Sequence, residues 1–297
     1  MKNALPMRDL GKTGLRVSLL GLGAAHVGNP HLDDATAGKL LNLALDLGIT
    51  VLDTARSYAF SEERIGRHLA HRRKNYVLCT KVGYGIPGEE NWTAGCITAG
   101  IERALQVMKT DVLDVVHLHS CPMETLSRGE CTEALTRAVR AGKVRVAGYA
   151  GDNQALGYAL DSHAFGAVMT SLSIYDQAVL ARQLPHAALL QCGVLVKRPL
   201  GGSPWRFPKR PPEEDLAVYW DRHTAMNPNR LGLAWEEMAL RFAAHQPGVS
   251  CVMVGTANEK HLRAAVKAME YGPLPPAMDA LMKQSFDKVG RAWPGVV

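Results

Sequence analysis

The sequence predicts an α/β fold, a closed (β/α)8 barrel of the TIM type, and three observations carry that expectation. Short apolar runs alternate eight times with amphipathic helical stretches along 297 residues, a length close to the roughly 250 residues of that fold. Three of the runs finish on an ionisable side chain: TVLDTARSY sets Asp53 after Val51 and Leu52 with Tyr58 five residues on, YVLCTK ends in Lys81, and VLDVVHLH ends in His119. Parallel strands that deliver ionisable groups at their C-terminal ends look like a site built on the catalytic face of a barrel. No GxGxxG follows the first run, where Gly21-Leu22-Gly23 leads into Ala-Ala-His, so an open dinucleotide-binding sheet is the weaker expectation.

The elements follow in order. Residues 2–16 hold RDLGKTGLR, polar with two Gly-centred turns, which predicts a short hairpin capping the bottom of the barrel. Residues 17–23 read as the first strand. Asp33-Asp34 are natural N-cap residues for a helix whose apolar face is Leu40, Leu41, Ala44, Leu45 and Leu47, and Gly48 fits its C-cap. Strand two holds Val51 and Leu52. Ser61 reads as the N-cap of the second helix, with Glu62 and Glu63 in its first turn.

Residues 76–82 form strand three, the Gly- and Pro-bearing segment 83–91 a loop, and Ile97, Ile101, Ala104, Leu105 and Met108 the face of the next helix. Strand four is 112–119, followed by a helix over 132–141 that Gly142 closes. Strands five to eight fall at 144–149, 167–173, 193–196 and 249–254, with helices near 154–161, 177–192, 231–245 and 259–270. Residues 201–228 are proline-rich without clear periodicity and follow strand seven, so they read as a long loop able to act as a lid. The pattern implies one barrel domain over residues 1–297.

Composition narrows the function classes. Hydrophobic residues at 47% fill a large core, and 34 Lys+Arg against 28 Asp+Glu give +6, a mild and scattered excess that suits a phosphate-bearing ligand better than nucleic acid. The N-terminal residues lack the apolar core of a signal peptide and no stretch approaches a membrane span, so a cytoplasmic protein acting on a small molecule is expected. The six cysteines, at 79, 96, 121, 131, 192 and 251, show no CxxC spacing and read as reduced, mostly buried thiols, with no metal site.

The chemistry of the strand ends is specific. Asp53 is costly in an apolar run unless paired, and Lys81 is a candidate partner. Lys81 beside Tyr58 would favour the phenolate, Asp53 would hold Lys81 charged, and His119 would hydrogen-bond and orient a carbonyl oxygen. This is a proton-transfer set that lacks a hydride source, which a nicotinamide cofactor would supply. Each residue alone has a plainer reading: Asp53 a turn acid, Lys81 a solvated strand end, Tyr58 a packing aromatic, His119 a loop residue. His117 should sit one layer deeper as a hydrogen-bonded core histidine. Trp92 and Trp205, in loops after strands three and seven, wall a substrate pocket or simply pack. Two rival functions stand beside these: a metal-dependent barrel hydrolase using the His117-Leu118-His119 pair with Asp53, and a nucleotide-binding regulatory subunit without turnover. The first is disfavoured, because strands five to eight offer no further ligands.

The segments DTARSYAFSEERIG, the lysine of LCTKVG, DVVHLHSCP and the N-terminal LGKTGLRVSLLGLG together resemble the aldo-keto reductase family, in order, over about residues 7–270. The resemblance implies a (β/α)8 barrel that binds NADP(H) in an extended pose, with NAD(H) as the alternative, and reduces aldehydes or ketones. It assigns Asp53, Tyr58, Lys81 and His119 to the family's catalytic tetrad. It places cofactor contacts at Gly23, Ala24 and Asp53, at Arg198, Pro199, Leu200 and Gly201 where the family has Ser-Pro-Leu-Gly, and at Gly255, Thr256 and His261. The family's Ser-Asn after strand five is here Ala150-Gly151-Asp152-Asn153, so the carboxamide contact is lost or moved. The family's strand-six amide has no clear counterpart, and Met169 stands near its expected place.

Overall fold

Buried apolar runs can satisfy their backbone groups only by pairing, and eight such runs close on themselves here. The computed structural model describes residues 5–296; residues 2–4 of the segment assigned to the hairpin, and positions 1–4 and 297 of the expected domain, lie outside the described residues. The hairpin is β1 (Met7–Asp9) against β2 (Arg16–Ser18), antiparallel. The barrel strands are β3 (Leu20–Gly23), β4 (Val51–Asp53), β5 (Val77–Val82), β6 (Leu113–His119), β7 (Val144–Ala150), β8 (Ala167–Ser171), β9 (Gly193–Lys197) and β10 (Cys251–Gly255). They pair in parallel in chain order, and β10 closes on β3. The expected 17–23 strand is thus two elements. Ser18 N–H turns to the Thr50 hydroxyl and Leu19 N–H to the Pro6 carbonyl, so the chain leaves the hairpin before it enters the barrel.

The hairpin closes the bottom. Leu10, Leu15 and Val17 join Val51, Val77 and Val115 in one buried cluster inside the barrel. Lys12 N–H bonds to the Gln191 carbonyl, and Gly11, at φ +55°, lies so close that a Cβ would stand 2.3 Å from that oxygen.

Helices cover the outside: α1 (Asp34–Asp46), α2 (Ser61–Leu69), α3 (Ala94–Met108), α4 (Met123–Ser127), α5 (Glu130–Arg140), α6 (Asn153–Asp161), α7 (Gln183–Leu189), α8 (Glu214–Met226), α9 (Trp235–Ala244), α10 (Glu259–Glu270) and α11 (Pro276–Val289). Asp33 caps α1, accepting from Thr36 N–H at 2.8 Å, and Gly48 follows its end at φ +88°. Ser61 does not cap α2, contrary to expectation. It lies one residue inside, donating to the Ala24 carbonyl and accepting from the Thr54 hydroxyl, and so ties the loop after β3 to the loop after β4.

Three further corrections concern the helices. The expected loop 201–228 contains α8, whose buried positions are Ala217, Tyr219, Arg222 and Met226; an arginine on the inner face interrupts the apolar stripe that would have revealed it. Arg222 can be buried because Asp176 and the Tyr175 and Pro294 carbonyls accept hydrogen bonds from its guanidinium. The helix expected over 177–192 is cut to α7, since Ala178–Leu180 is a 3-10 turn. Helix α11 was not expected, although Met278, Met282 and Phe286 recur every four residues along its buried face. After it, residues 293–296 return to the barrel mouth. All six cysteines are buried and free, and no helix among the described residues is long and apolar enough to cross a membrane.

Candidate active site

Side chains alternate in and out along each strand, so the inward ends of β4, β5 and β6 place Asp53, Lys81, His117 and His119 around one side of the mouth. Lys81 Nζ, 3% exposed, lies 2.9 and 2.7 Å from the two Asp53 carboxylate oxygens and 2.8 Å from the Thr54 carbonyl. Such a pair persists in a core only when its protons and lone pairs are matched in this way. Burial by itself would lower the ammonium's pKa, but Asp53 and Tyr58 outweigh it, and Lys81 is held above the ordinary lysine value. Tyr58, in the loop after β4, brings its ring centroid to 4.8 Å from Nζ.

His119 meets the same phenol edge-on, centroid to centroid 6.0 Å at 88°. Burial, then the Lys81 and Lys197 cations, push its imidazole down to about 3, so the ring is neutral at physiological pH. Its other neighbour is Tyr84, whose hydroxyl is 2.9 Å from Nδ1 and whose ring stacks at 5.4 Å and 22°. The four tetrad positions therefore stand together around one phenol.

His117 is fully buried, paired in register with Lys81 and Gly148, and pushed to about 3 by burial and by Lys81. It is a core histidine, but not the hydrogen-bonded one expected. Neither ring nitrogen makes a full hydrogen bond, although the Thr80 carbonyl pulls weakly on its proton. Gly148 makes room for the ring, since a Cβ there would lie 2.6 Å from His117 Cδ2. Among the described residues no three His, Cys, Asp or Glu side chains gather as a metal-holding group.

The opposite side of the mouth carries a second pair that the sequence reading passed over. Lys197, at the end of β9, lies 2.7 Å from Asp152 Oδ2, and Asp152 also accepts from the Thr170 hydroxyl and from Ser171 N–H and Oγ. Here burial prevails over Asp152 and lowers the lysine pKa. The rule that flagged Lys81, an ionisable residue ending an apolar run, applies equally to Lys197. The Val296 carbonyl accepts from Ser171 Oγ, Lys197 Nζ and the Arg198 guanidinium. Asn153 exchanges two hydrogen bonds with the Gly295 backbone, so its amide is turned to that segment. Met169 is apolar and buried in the barrel interior.

The remaining expected positions spread around the rim. Gly23 is half-buried and pairs with Asp53 and Gly255. Both peptide groups of Ala24 are engaged, its N–H by the Asp53 carbonyl and its carbonyl by Ser61. Residues 198–201 form a turn in which Gly201 N–H bonds to the Arg198 carbonyl across Pro199 and Leu200, and Arg198 pairs with Asp215 at 2.7 Å. Exposed Gly255 faces His26, which feels the charge of Arg206. Thr256 accepts from Asn258 N–H, and Asn258 caps α10, which carries His261 on its exposed face. Trp92 packs on Gly83 and edge-on to Tyr84, continuous with the tetrad. Trp205 belongs to a separate aromatic group, stacked on Trp235 at 5.6 Å.

Comparison with known proteins agrees with this barrel. A model of the Aldo/keto reductase family matches residues 19–174. Among characterised sequences, L-galactose dehydrogenase of Arabidopsis thaliana is 26% identical over 288 residues, covering 89% of this chain and 88% of its own length. The uncharacterized oxidoreductase YqkF of Bacillus subtilis is 27% identical over 280 residues, covering 88% and 90%. The holo form of aldo-keto reductase AKR11C1 from Bacillus halodurans superposes with a TM-score of 0.83 at 25% identity, over 95% of this chain and 96% of that one. PA4992, a putative aldo-keto reductase from Pseudomonas aeruginosa, does so with a TM-score of 0.71 at 28% identity, over 89% and 94%. By this kinship the protein is an oxidoreductase, and the chain belongs to the aldo/keto reductase family.

Proposed function

We propose that the protein reduces an aldehyde or ketone to the alcohol, or runs the reverse, with the hydride from a nicotinamide dinucleotide and the proton from Tyr58. One observation carries the reading: a buried ammonium, clamped by both oxygens of Asp53, lies against a phenol that also meets a neutral imidazole. That fixed positive charge lies beside the place where negative charge builds as the Tyr58 hydroxyl gives its proton to a carbonyl oxygen, and it serves the return of the proton in the reverse direction as well. Asp53 keeps Lys81 charged and fixed. His119, neutral, donates to and orients the same oxygen.

A bound reduced nicotinamide supplies the hydride. The residues present fit such a ligand. Lys197, Arg198, Arg206 and His26 place cationic and donor groups on the β9, β10 and β3 side of the mouth, and the N-terminus of α10 opens beside them, a donor set suited to a pyrophosphate. NADP(H) stands as the favoured cofactor and NAD(H) as the alternative, since the pyrophosphate is common to both.

Tyr58→Phe tests the reading. It should keep dinucleotide affinity, measured by fluorescence titration with NADPH and NADH, while turnover falls by roughly 10² to 10⁴. Unchanged turnover excludes Tyr58 as the proton donor. Turnover should be read on a panel of carbonyl substrates that includes aldoses, because one relative is named L-galactose dehydrogenase. A second reading, dinucleotide binding without turnover, draws on Asn153, whose amide is committed to the Gly295 backbone and so does not hold a nicotinamide carboxamide. Tight dinucleotide binding with no turnover across the panel would favour it.

A further inference from the structure

The reduction proposed above asks His119 for an N–H pointed at the substrate oxygen, and a neutral imidazole has only one to give. Which nitrogen carries it is decided by the partner of the other. Nδ1 faces the Tyr84 hydroxyl at 2.9 Å, while Nε2 has no hydrogen-bond partner among the described residues. An sp² imidazole nitrogen is a strong acceptor, and a phenol, whose oxygen lone pair is drawn into its ring, is a better donor than acceptor. The proton between them therefore belongs to Tyr84, and the imidazole proton is left on Nε2.

Tyr84 is well held for this task. Gly83, at φ +143°, lies beneath the Trp92 ring so closely that a Cβ would stand 2.2 Å from Trp92 Cζ3. Trp92 N–H returns to the Gly83 carbonyl at 2.7 Å, and Gly85 N–H bonds to the Asn91 side chain at 3.0 Å. The loop after β5 is thereby closed at its base, and Trp92 packs edge-on against Tyr84 at 5.7 Å. The stack of Tyr84 on His119 fixes the plane of the imidazole as the hydrogen bond fixes its tautomer.

We propose that Tyr84 is a positioning residue that locks His119 in its Nε2–H tautomer and aims that N–H at the carbonyl oxygen. The proposal deepens the reductase reading and rests on it, but its main readout does not need turnover. Tyr84→Phe keeps the ring stack and removes only the hydroxyl. Nitrogen NMR on histidine-labelled protein, with the His119 signal assigned by its loss in His119→Asn, should show Nε2–H in the wild type and a substantial Nδ1–H population in Tyr84→Phe. Dinucleotide affinity should stay within about twofold, while kcat falls by about ten- to a hundredfold, the scale seen when a metal-bound histidine loses its orienting partner. An Nδ1–H tautomer in the wild type overturns the proposal. So does an unchanged tautomer in Tyr84→Phe, even with a lower rate, because Tyr84 would then act otherwise than through His119. A shifted tautomer with an unchanged rate overturns the aiming role. A wild-type protein inactive on every carbonyl fails the reductase reading alone, and the nitrogen spectra still judge the tautomer.

Discussion

Two lysine–aspartate pairs face each other across one barrel mouth, and their lysines shift in opposite directions. Lys81 has an aspartate to itself, with both carboxylate oxygens and the Thr54 carbonyl on its ammonium, and its pKa is raised. Lys197 shares Asp152 with Thr170 and Ser171, lies beside Arg198, is 20% exposed, and its pKa is lowered. The same two residue types give a concentrated charge on one side and a diluted one on the other. Burial weighs most heavily on both ammoniums, and the difference teaches that the partners set against it decide which way a buried lysine shifts. An undivided ion pair holds a fixed cation against Tyr58, while a shared one supplies an adjustable donor to a ligand or to the chain itself.

The sharpest way to break this comparison is to remove each cation in turn. Lys81→Met should reduce turnover by 10³ or more and, by leaving Asp53 buried and unpaired, cost about 3 to 5 kcal/mol of stability. Lys197→Met leaves Asp152 three other donors, so stability should fall by about 1 to 2 kcal/mol, with dinucleotide binding weakened more than kcat. Turnover assays and urea unfolding on both variants decide the matter, and equal losses would erase the distinction.

A second expected effect lies in acid. Unfolded imidazoles take up protons below about 6.5, whereas folded His117 and His119 stay neutral down to about 3. Between those values the unfolded chain binds more protons, so stability is fully present above about 6.5 and is lost as pH falls, by up to about 5 kcal/mol for a fully buried ring. His117→Leu should flatten the curve of unfolding free energy between pH 6 and 4; a variant that keeps the wild-type slope would show that His117 does not resist protonation. After burial, Lys81 acts on His119 more strongly than Lys197 does, so Lys81→Met should raise the His119 pKa further than Lys197→Met, which a pH titration followed by NMR on the histidine-labelled variants reads.

The smallest effect concerns the segment lying on the Lys197 side. Asn153→Gly keeps the positive φ of that position, +58°, and removes the two hydrogen bonds to Gly295. It should cost no more than about 1 kcal/mol. If residues 293–296 compete with a dinucleotide for Lys197 and Ser171, affinity should tighten a few-fold; weaker binding would show that the segment helps to build the site instead.

Much of this was legible in the chain. The runs ending at Asp53, Lys81 and His119 announced both the parallel sheet and the face on which chemistry would sit, because burial on both sides leaves few polar positions in a barrel strand and makes each conspicuous. Helix α8 was not legible, because its inner face is completed by Arg222, a residue that reads as surface until Asp176 is known to lie opposite. Ser61 read as a cap because its type and place fit one; only the approach of Ala24 and Thr54 gives its hydroxyl better partners.

The sequence by itself determined the alternation of strand and helix, the inward side of each strand, and the types of group delivered to the mouth, since these depend on periodicity and on the cost of burying charge. The tertiary structure alone decided which lysine owns its aspartate, which nitrogen of His119 is taken by Tyr84, and where residues 293–296 come to rest. Those outcomes depend on distances between segments far apart in the chain, set by how the barrel closes and how its loops pack, and no local pattern records them.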